Sequence, residues 1–344
     1  MKKLFVLLLV LCMSCSAALS EGFFYTLESV TDSAKTMSRY DAFYESGEMS
    51  VLVPGLKEHF VPQGVSYLPD KDWFIFSGYS GMEYNSPILA VDAESGALVK
   101  EVMLQYQDGS PYIGHAGGVA VTEKNIFIAN SGYLWRISLE KFLSLPDSSE
   151  CPFEELIPIP SRASYCTYAD GILWVGEFQY SGYPTDESHY VQTEDGEHKA
   201  WLIGYELDRT QESELKESAR AGVLAIPDYI ITTTNRIQGM TIKDGKFYLS
   251  QSYGRKNAST MLKYGSPLAE EPAGYAELYG VQVPMWSLTN SKLEDKLTMP
   301  PASENLVVAD GAVHVLFETA ASIYMVGGNR SSNPIDRLFK MTGF

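Results

Sequence analysis

Basic side chains are scarce: 26 Lys and Arg stand against 43 Asp and Glu, a formal charge of −17 with the five His neutral. A field of that sign repels nucleic-acid phosphates and anionic lipid surfaces, so neither is an expected partner. Cysteine is also sparse, four residues in 344 with no pair of zinc-like spacings. Past the first twenty residues no apolar run is long enough to span a bilayer as a helix. Helical periodicity is weak everywhere except the acidic stretch Glu28 to Tyr44, which is expected to be partly helical and to lie outside the main body. There is no phosphate-binding Walker loop, no Gly-x-Gly-x-x-Gly after a strand, no His-Glu-x-x-His and no Gly-x-Ser-x-Gly elbow. Nucleotide, dinucleotide, zincin and common esterase chemistry thus lack support.

What the chain does have begins at its N-terminus. Lys2 and Lys3 precede an apolar run from Leu4 to Met13, and Ala17, Ala18 and Ser20 follow. This is the pattern of a secretory signal peptide over residues 1–20, with lipid attachment at Cys15 as a lesser alternative. Export leaves Cys151 and Cys166 in an oxidising compartment. They would either close a loop of about 15 residues, worth roughly 3 kcal/mol, or remain two separate buried thiols.

Tyr (22 residues), Phe (15) and Gly (28) favour strands and turns. Five hairpin units recur, opened by Gln63-Gly64, His115 to Gly118, Ser164-Tyr165, Gln238-Gly239 and Glu304-Asn305. From Gly118, Tyr165, Gly239 and Asn305 the step to Ala129, Gly176, Ser250 and Leu316 is 11 residues each time. Units recur on average about every 60 residues, the length of a four-stranded propeller blade with long outer loops. The expected fold is therefore all-β, a β-propeller over residues 49–344 with five blades, or six if the long third-to-fourth interval hides another. Residues 21–48 form a separate N-terminal segment. In the third unit Ala200 to Leu207 and Gly222 to Ile226 are expected as the outer strands. Ser50 to Val53, with no hairpin partner, should close the ring beside Leu338 to Met341.

With these units in place, the chain resembles at superfamily level the gluconolactonase/regucalcin and strictosidine-synthase-like propellers. It resembles more closely a group of uncharacterised exported bacterial propellers that carry Gly114 to Val121, Ile237-Gln238-Gly239 and Leu249 to Gly254 as they stand here. The first resemblance implies a metal held by Glu, Asn and Asp in the channel. In this sequence Glu304 and Asn305 are the adjacent pair of that type.

Inner strands of a propeller line its axis, so the unit headers should converge. Gln63, Ser164, Tyr165 and Gln238, with Tyr79, Gln251 and Tyr253 from the following strands and turns, are candidate ligand-binding residues. His115, an imidazole flanked by glycines and titrating near neutrality, and Glu177, at a strand end, are candidate catalytic residues. Glu304, Asn305 and Glu318 are candidate hard-oxygen ligands for Ca²⁺, the one cofactor considered. Asp170-Gly171, Asp244-Gly245 and Asp310-Gly311 are hairpin turns. The polar stretch Tyr180 to His198 is a candidate functional loop. Arg255-Lys256-Asn257 reads as solvated charge. The leading expectation is an exported propeller that binds a small molecule, a glycan or an extracellular protein segment at its channel mouth. The rival is a calcium-dependent hydrolase of lactonase or arylesterase type.

Overall fold

The computed structural model describes residues 23–31, 38–81, 84–217, 220–327, 330–331 and 333–344. The expected signal peptide lies outside them.

Five sheets surround an axis, antiparallel except where Ser149–Pro152 joins Leu98–Gln105 and Val281–Ser287 joins Tyr229–Thr233 in parallel. Their inner strands are Phe60–Leu68, Gly118–Val121, Tyr165–Ala169, Ile237–Lys243 and Ser303–Ala309, in blades 1 to 5. Each contacts the next, and the fifth contacts the first, so the ring is closed. Three of the 11-residue steps in the sequence are cross-strand partners: Gly118 faces Ala129, Tyr165 faces Gly176 and Gly239 faces Ser250. The Asp-Gly pairs make the expected turns, with Asp170 and Gly171 at φ 52° and 79° and the other two pairs alike.

Period-two alternation decides the packing, because both faces of every blade are covered. In blade 2, Phe127 and Ala129 pack toward blade 3 while Ile126 and Ile128 pack toward blade 1. Five apolar clusters follow, one at each seam between blades. Glycine at the inner-strand anchors is required by close approach: a Cβ on Gly118 would strike the backbone nitrogen of Cys166 and lie 2.7 Å from the Tyr165 Cα. Gly239 meets the Asn305 backbone of the next blade in the same way.

Closure uses the start of the chain. Strand Gly47–Leu52 pairs with Arg337–Met341 and is the outer strand of blade 5, as expected. Residues 24–31 are strapped across the blade 5 and blade 1 seam by three carboxylates. Glu101 accepts the N–H groups of Phe24 and Tyr25 at 3.1 and 2.8 Å, Glu58 takes Thr26, and Asp336 takes Val30 at 3.0 Å.

Two expectations need correction, and one open alternative is decided. The segment before the ring is helical, among the described residues, only over Ser38–Glu45, and it is not detached: Phe43 is buried and stacks on Phe339 at 3.9 Å. The fourth strand of blade 3 is Tyr229–Thr233 rather than Gly222 to Ile226. Leu224 and Ala225 are taken up in a small hairpin with Arg220 and Ala221. Cys151 and Cys166 are unbridged. They are buried in different seams, Cys151 between blades 1 and 2 and Cys166 between blades 2 and 3, so apolar packing holds the two thiols apart.

Candidate functional site at the channel mouth

Side chains from all five blades line one cavity of about 530 Å³ at an end of the channel. A bulge in the ladder puts several of them there. In blade 1 the pairing passes from Pro62 to Gly64 and leaves Gln63 unpaired; in blade 4 it passes from Ile237 to Gly239 and leaves out Gln238. In blade 5 it skips from Ser303 to Leu306, which frees Glu304 and Asn305. A bulged residue is re-aimed relative to the pleat, and Gln63, Gln238 and Glu304 all face the cavity. Blades 2 and 3 deliver His115 and Ser164 differently, beside Ala116 at φ 47° and Ala163 at φ 52°. Arg236 and Ala302, at φ 66° and 53°, precede the bulges of blades 4 and 5. Non-glycine residues in this region store about 1 kcal/mol or more each, and such strain gathers where side chains must be positioned.

One hydrogen-bond chain organises the floor. The Gln63 amide nitrogen donates to the Pro62 carbonyl at 2.9 Å and to Glu318 at 3.0 Å. Its Oε1 must then accept, so His115 donates through Nε2 at 2.6 Å, leaving the neutral ring's lone pair on Nδ1. The imidazole stacks on Tyr79 with centroids 4.7 Å apart. Tyr79 shares a short hydroxyl contact with Tyr324, whose ring carries the Arg255 guanidinium at 3.4 Å. On the far side Gln238 donates to Glu304 at 3.2 Å.

Enclosure sets the electrostatics. The His115 ring is open to cavity water but walled by protein, and this desolvation pushes its pKa below the ordinary value. Burial, reinforced by the charge of Glu318, holds the Glu304 carboxyl well above the usual carboxylate range. Burial also lifts Glu318 to about 7, against the opposing pull of Arg255 and of the Gln63 hydrogen bond. At neutral pH the pair thus retains a proton, with the negative charge favoured on Glu318 beside the guanidinium.

Of the residues singled out in the sequence, Gln63, Tyr79, His115, Ser164, Gln238, Glu304 and Glu318 meet in this cavity. Others do not reach it. Tyr165 lies wholly buried, its ring against Gly176 in the seam between blades 3 and 4. Gln251 donates to the Asn235 carbonyl at 2.9 Å. Tyr253 borders the cavity by packing against Tyr180, with ring centroids 4.8 Å apart and planes tilted at 41°. Asn305 turns to donate to the Cys166 carbonyl of non-adjacent blade 3 at 3.0 Å, and its own Oδ1 accepts the Leu306 N–H. Glu177 is buried behind the wall, where it accepts the N–H groups of Arg162 and Trp201 and meets His189 Nδ1 at 3.0 Å. With the His189 ring stacked on Trp201 at 3.7 Å, this cluster anchors the loop from Tyr180 to His198. Tyr180 and Tyr183 of that loop line the cavity. Arg255, read from the sequence as surface charge, and Tyr324 also line it. Nothing in the chain's repeat marks those two, because both stand on inter-strand loops.

Calcium would find a thin donor set here. Two of its three candidate ligands reach the cavity, and each is faced by an amide N–H donor from Gln63 or Gln238. Among the described residues no group of three or more His, Cys, Asp or Glu gathers to hold a metal. Ca²⁺ takes six to eight oxygens, so the site does not fit it.

No family model and no curated protein matches the chain. Solved structures similar to it are propellers of low identity. Glutaminyl cyclase from Myxococcus xanthus has 11% identity and a TM-score of 0.44, over 86% of this chain and 94% of that one. A GH43 β-xylosidase/α-arabinofuranosidase from a compost metagenome has 9% identity and a TM-score of 0.45, with the same shares covered. A putative oxidoreductase (glucose dehydrogenase) from Thermus thermophilus has 12% identity and a TM-score of 0.39, over 86% and 98%. At such identities the activities of these proteins do not transfer. The chain itself is a five-bladed β-propeller. No helix among the described residues is long and apolar enough to cross a membrane.

Proposed function

We propose that this propeller binds a small polar molecule in the cavity at its channel mouth. The observation that supports this most directly is the convergence of hydrogen-bonding side chains from five blades, three of them aimed by bulges, on a space of about 530 Å³. That volume falls in the range of small-ligand sites and is too small for a folded partner. Tyr79, Tyr180 and Tyr183 supply faces for a ring, and Ser164, Gln238 and the Nδ1 of His115 supply directional contacts. The leader-like residues 1–20 support a location outside the cytoplasm for this binding.

A thermal-shift screen of the mature chain against sugars, polyols, organic acids and amino acids tests the proposal. A ligand that fits is expected to raise Tm. Gln238→Leu, at a position outside the ladder, should leave the unliganded Tm nearly unchanged and abolish the rise. Ligand-induced shifts that survive both Gln238→Leu and Tyr180→Ala would place the site elsewhere.

A hydrolytic reading is favoured by one observation, the pairing of buried Glu304 with half-buried Glu318. A carboxyl that keeps its proton at pH 7 can serve as a general acid while its neighbour serves as base. That reading needs no metal. It expects Glu304→Gln to bind ligand but not turn it over, whereas pure binding expects no turnover by either form.

A further inference from the structure

Most of the long-range electrostatics of this acidic chain disfavour anions, yet its channel mouth departs from the rest of the surface. Basic side chains elsewhere commonly sit in ion pairs, as Lys100, Arg136 and Lys216 do. Arg162, Arg236 and Arg255 do not: each lies over a tyrosine ring, at 3.3 Å on Tyr183, 4.8 Å on Tyr253 and 3.4 Å on Tyr324. Among the described residues none of the three is in an ion pair. Tyr183 and Tyr324 line the cavity, and Tyr253 packs on Tyr180, which does so as well. The buried Nε of Arg255 has no hydrogen-bond partner.

Stacking fixes the plane of a guanidinium without consuming its whole N–H edge: Arg162 spends one N–H on the Pro184 carbonyl, and Arg255, close enough to pull on Glu318, makes no ion pair with it. That is the arrangement suited to gripping a planar or tetrahedral oxyanion through two bonds. The floor below takes a different chemistry. Ser164 and Gln238 carry both donors and acceptors and His115 Nδ1 accepts, as hydroxyl groups require. A cationic ligand is disfavoured, since it would meet the Arg255 guanidinium in the cavity beside carboxylates that Gln63 and Gln238 already engage.

We propose that the ligand is a hydroxylated organic anion, its carboxylate or phosphate held at the arginine rim with Arg255 as the main contact and its hydroxyls on the amide and hydroxyl floor. The proposal rests on the small-molecule reading of this cavity and names the class of molecule it takes.

The test is calorimetric titration of the full mature chain with matched probes: glucuronate, gluconate and glucose 6-phosphate against glucose, glucitol and glucosamine. At least one anionic probe is expected to bind about tenfold or more tightly than its neutral partner. Added salt should weaken it, and glucosamine should not bind. Arg255→Gln should remove that preference, and Arg255→Lys should restore part of it. A carboxylate and a phosphate source are separated by which of glucuronate and glucose 6-phosphate gains more. Neutral or amino probes that bind as well as the anions would overturn the rim proposal and leave the cavity reading standing. An anion preference that persists in both Arg255→Gln and Arg162→Gln would also overturn it. Absence of binding by every probe at millimolar concentration would count against both readings.

Discussion

His314→Leu and Glu318→Gln are expected to change the pH dependence of stability in opposite directions. His314 is buried in blade 5 against Phe74, neither ring nitrogen has a partner, and desolvation, aided by Lys340, pushes its pKa from 6.5 down to about 4. Between those values the unfolded chain binds the proton and the folded chain does not. Stability is therefore lost as pH falls from about 6.5 toward 4, by about 3 kcal/mol in all at roughly 1.4 kcal/mol per pH unit. Glu318 behaves in the contrary way. Its carboxyl is raised from 4.5 to about 7, so the folded chain holds the proton that the unfolded chain has released. Stability is then lost as pH rises from about 4.5 to 7, by up to about 3 kcal/mol before the cavity's water reduces it.

The two slopes nearly cancel over their shared interval, and each variant unmasks the other. Relative to the parent, His314→Leu should gain stability progressively as pH is lowered from 7 to 4.5. Glu318→Gln should gain as pH is raised over the same span. Urea titrations at pH 4.5, 6 and 7.5 measure both differences. Differences that do not vary with pH would show that neither group is as desolvated as the packing requires.

Gly118→Ala is expected to destabilise the ring by about 3 kcal/mol, the upper part of the range for overpacking a filled core. The added methyl meets the backbone of Tyr165 and Cys166, which cannot yield without displacing a whole inner strand and the seam that strand closes. Gly274→Ala is the matched control. It too stands in a strand, but its Cβ would find only the Met285 methyl at 3.6 Å, an ordinary contact. A fall of several degrees in Tm for the first and almost none for the second is expected. Equal melting of the two variants would mean that inner strands do not approach as described.

Much of the ring was legible in the sequence because it is built by rules that repeat. The Asp-Gly turns, the alternation of Ile126 to Ala129 and the 11-residue steps each reflect a local geometry imposed once per blade. Closure by the Ser50 to Val53 region followed from the need to cover an edge. The convergence of Gln63, His115, Gln238 and Glu304 followed from the axis alone. What stayed hidden depends on individual side-chain commitments. Asn305 stands beside Glu304 in the same bulge, yet spends both ends of its amide on backbone, and no pattern distinguishes the two. Glu177 occupies a strand end like Glu318 but faces a loop that folds over it, so it became an anchor. Arg255 and Tyr324 were invisible because loops carry no period. Tyr229–Thr233 was missed for a related reason: within a long insertion no spacing rule singles out the short β-prone run that joins the blade.

The bulges have an evolutionary consequence. Gln63, Gln238 and Glu304 contribute no rung to the ladders that flank them, so exchanging these side chains leaves inter-strand bonding intact. At these three positions the choice of side chain is thereby separated from the backbone pairing that builds the toroid. Descendants of such a scaffold can drift from one ligand to another by single substitutions, without passing through an unstable intermediate.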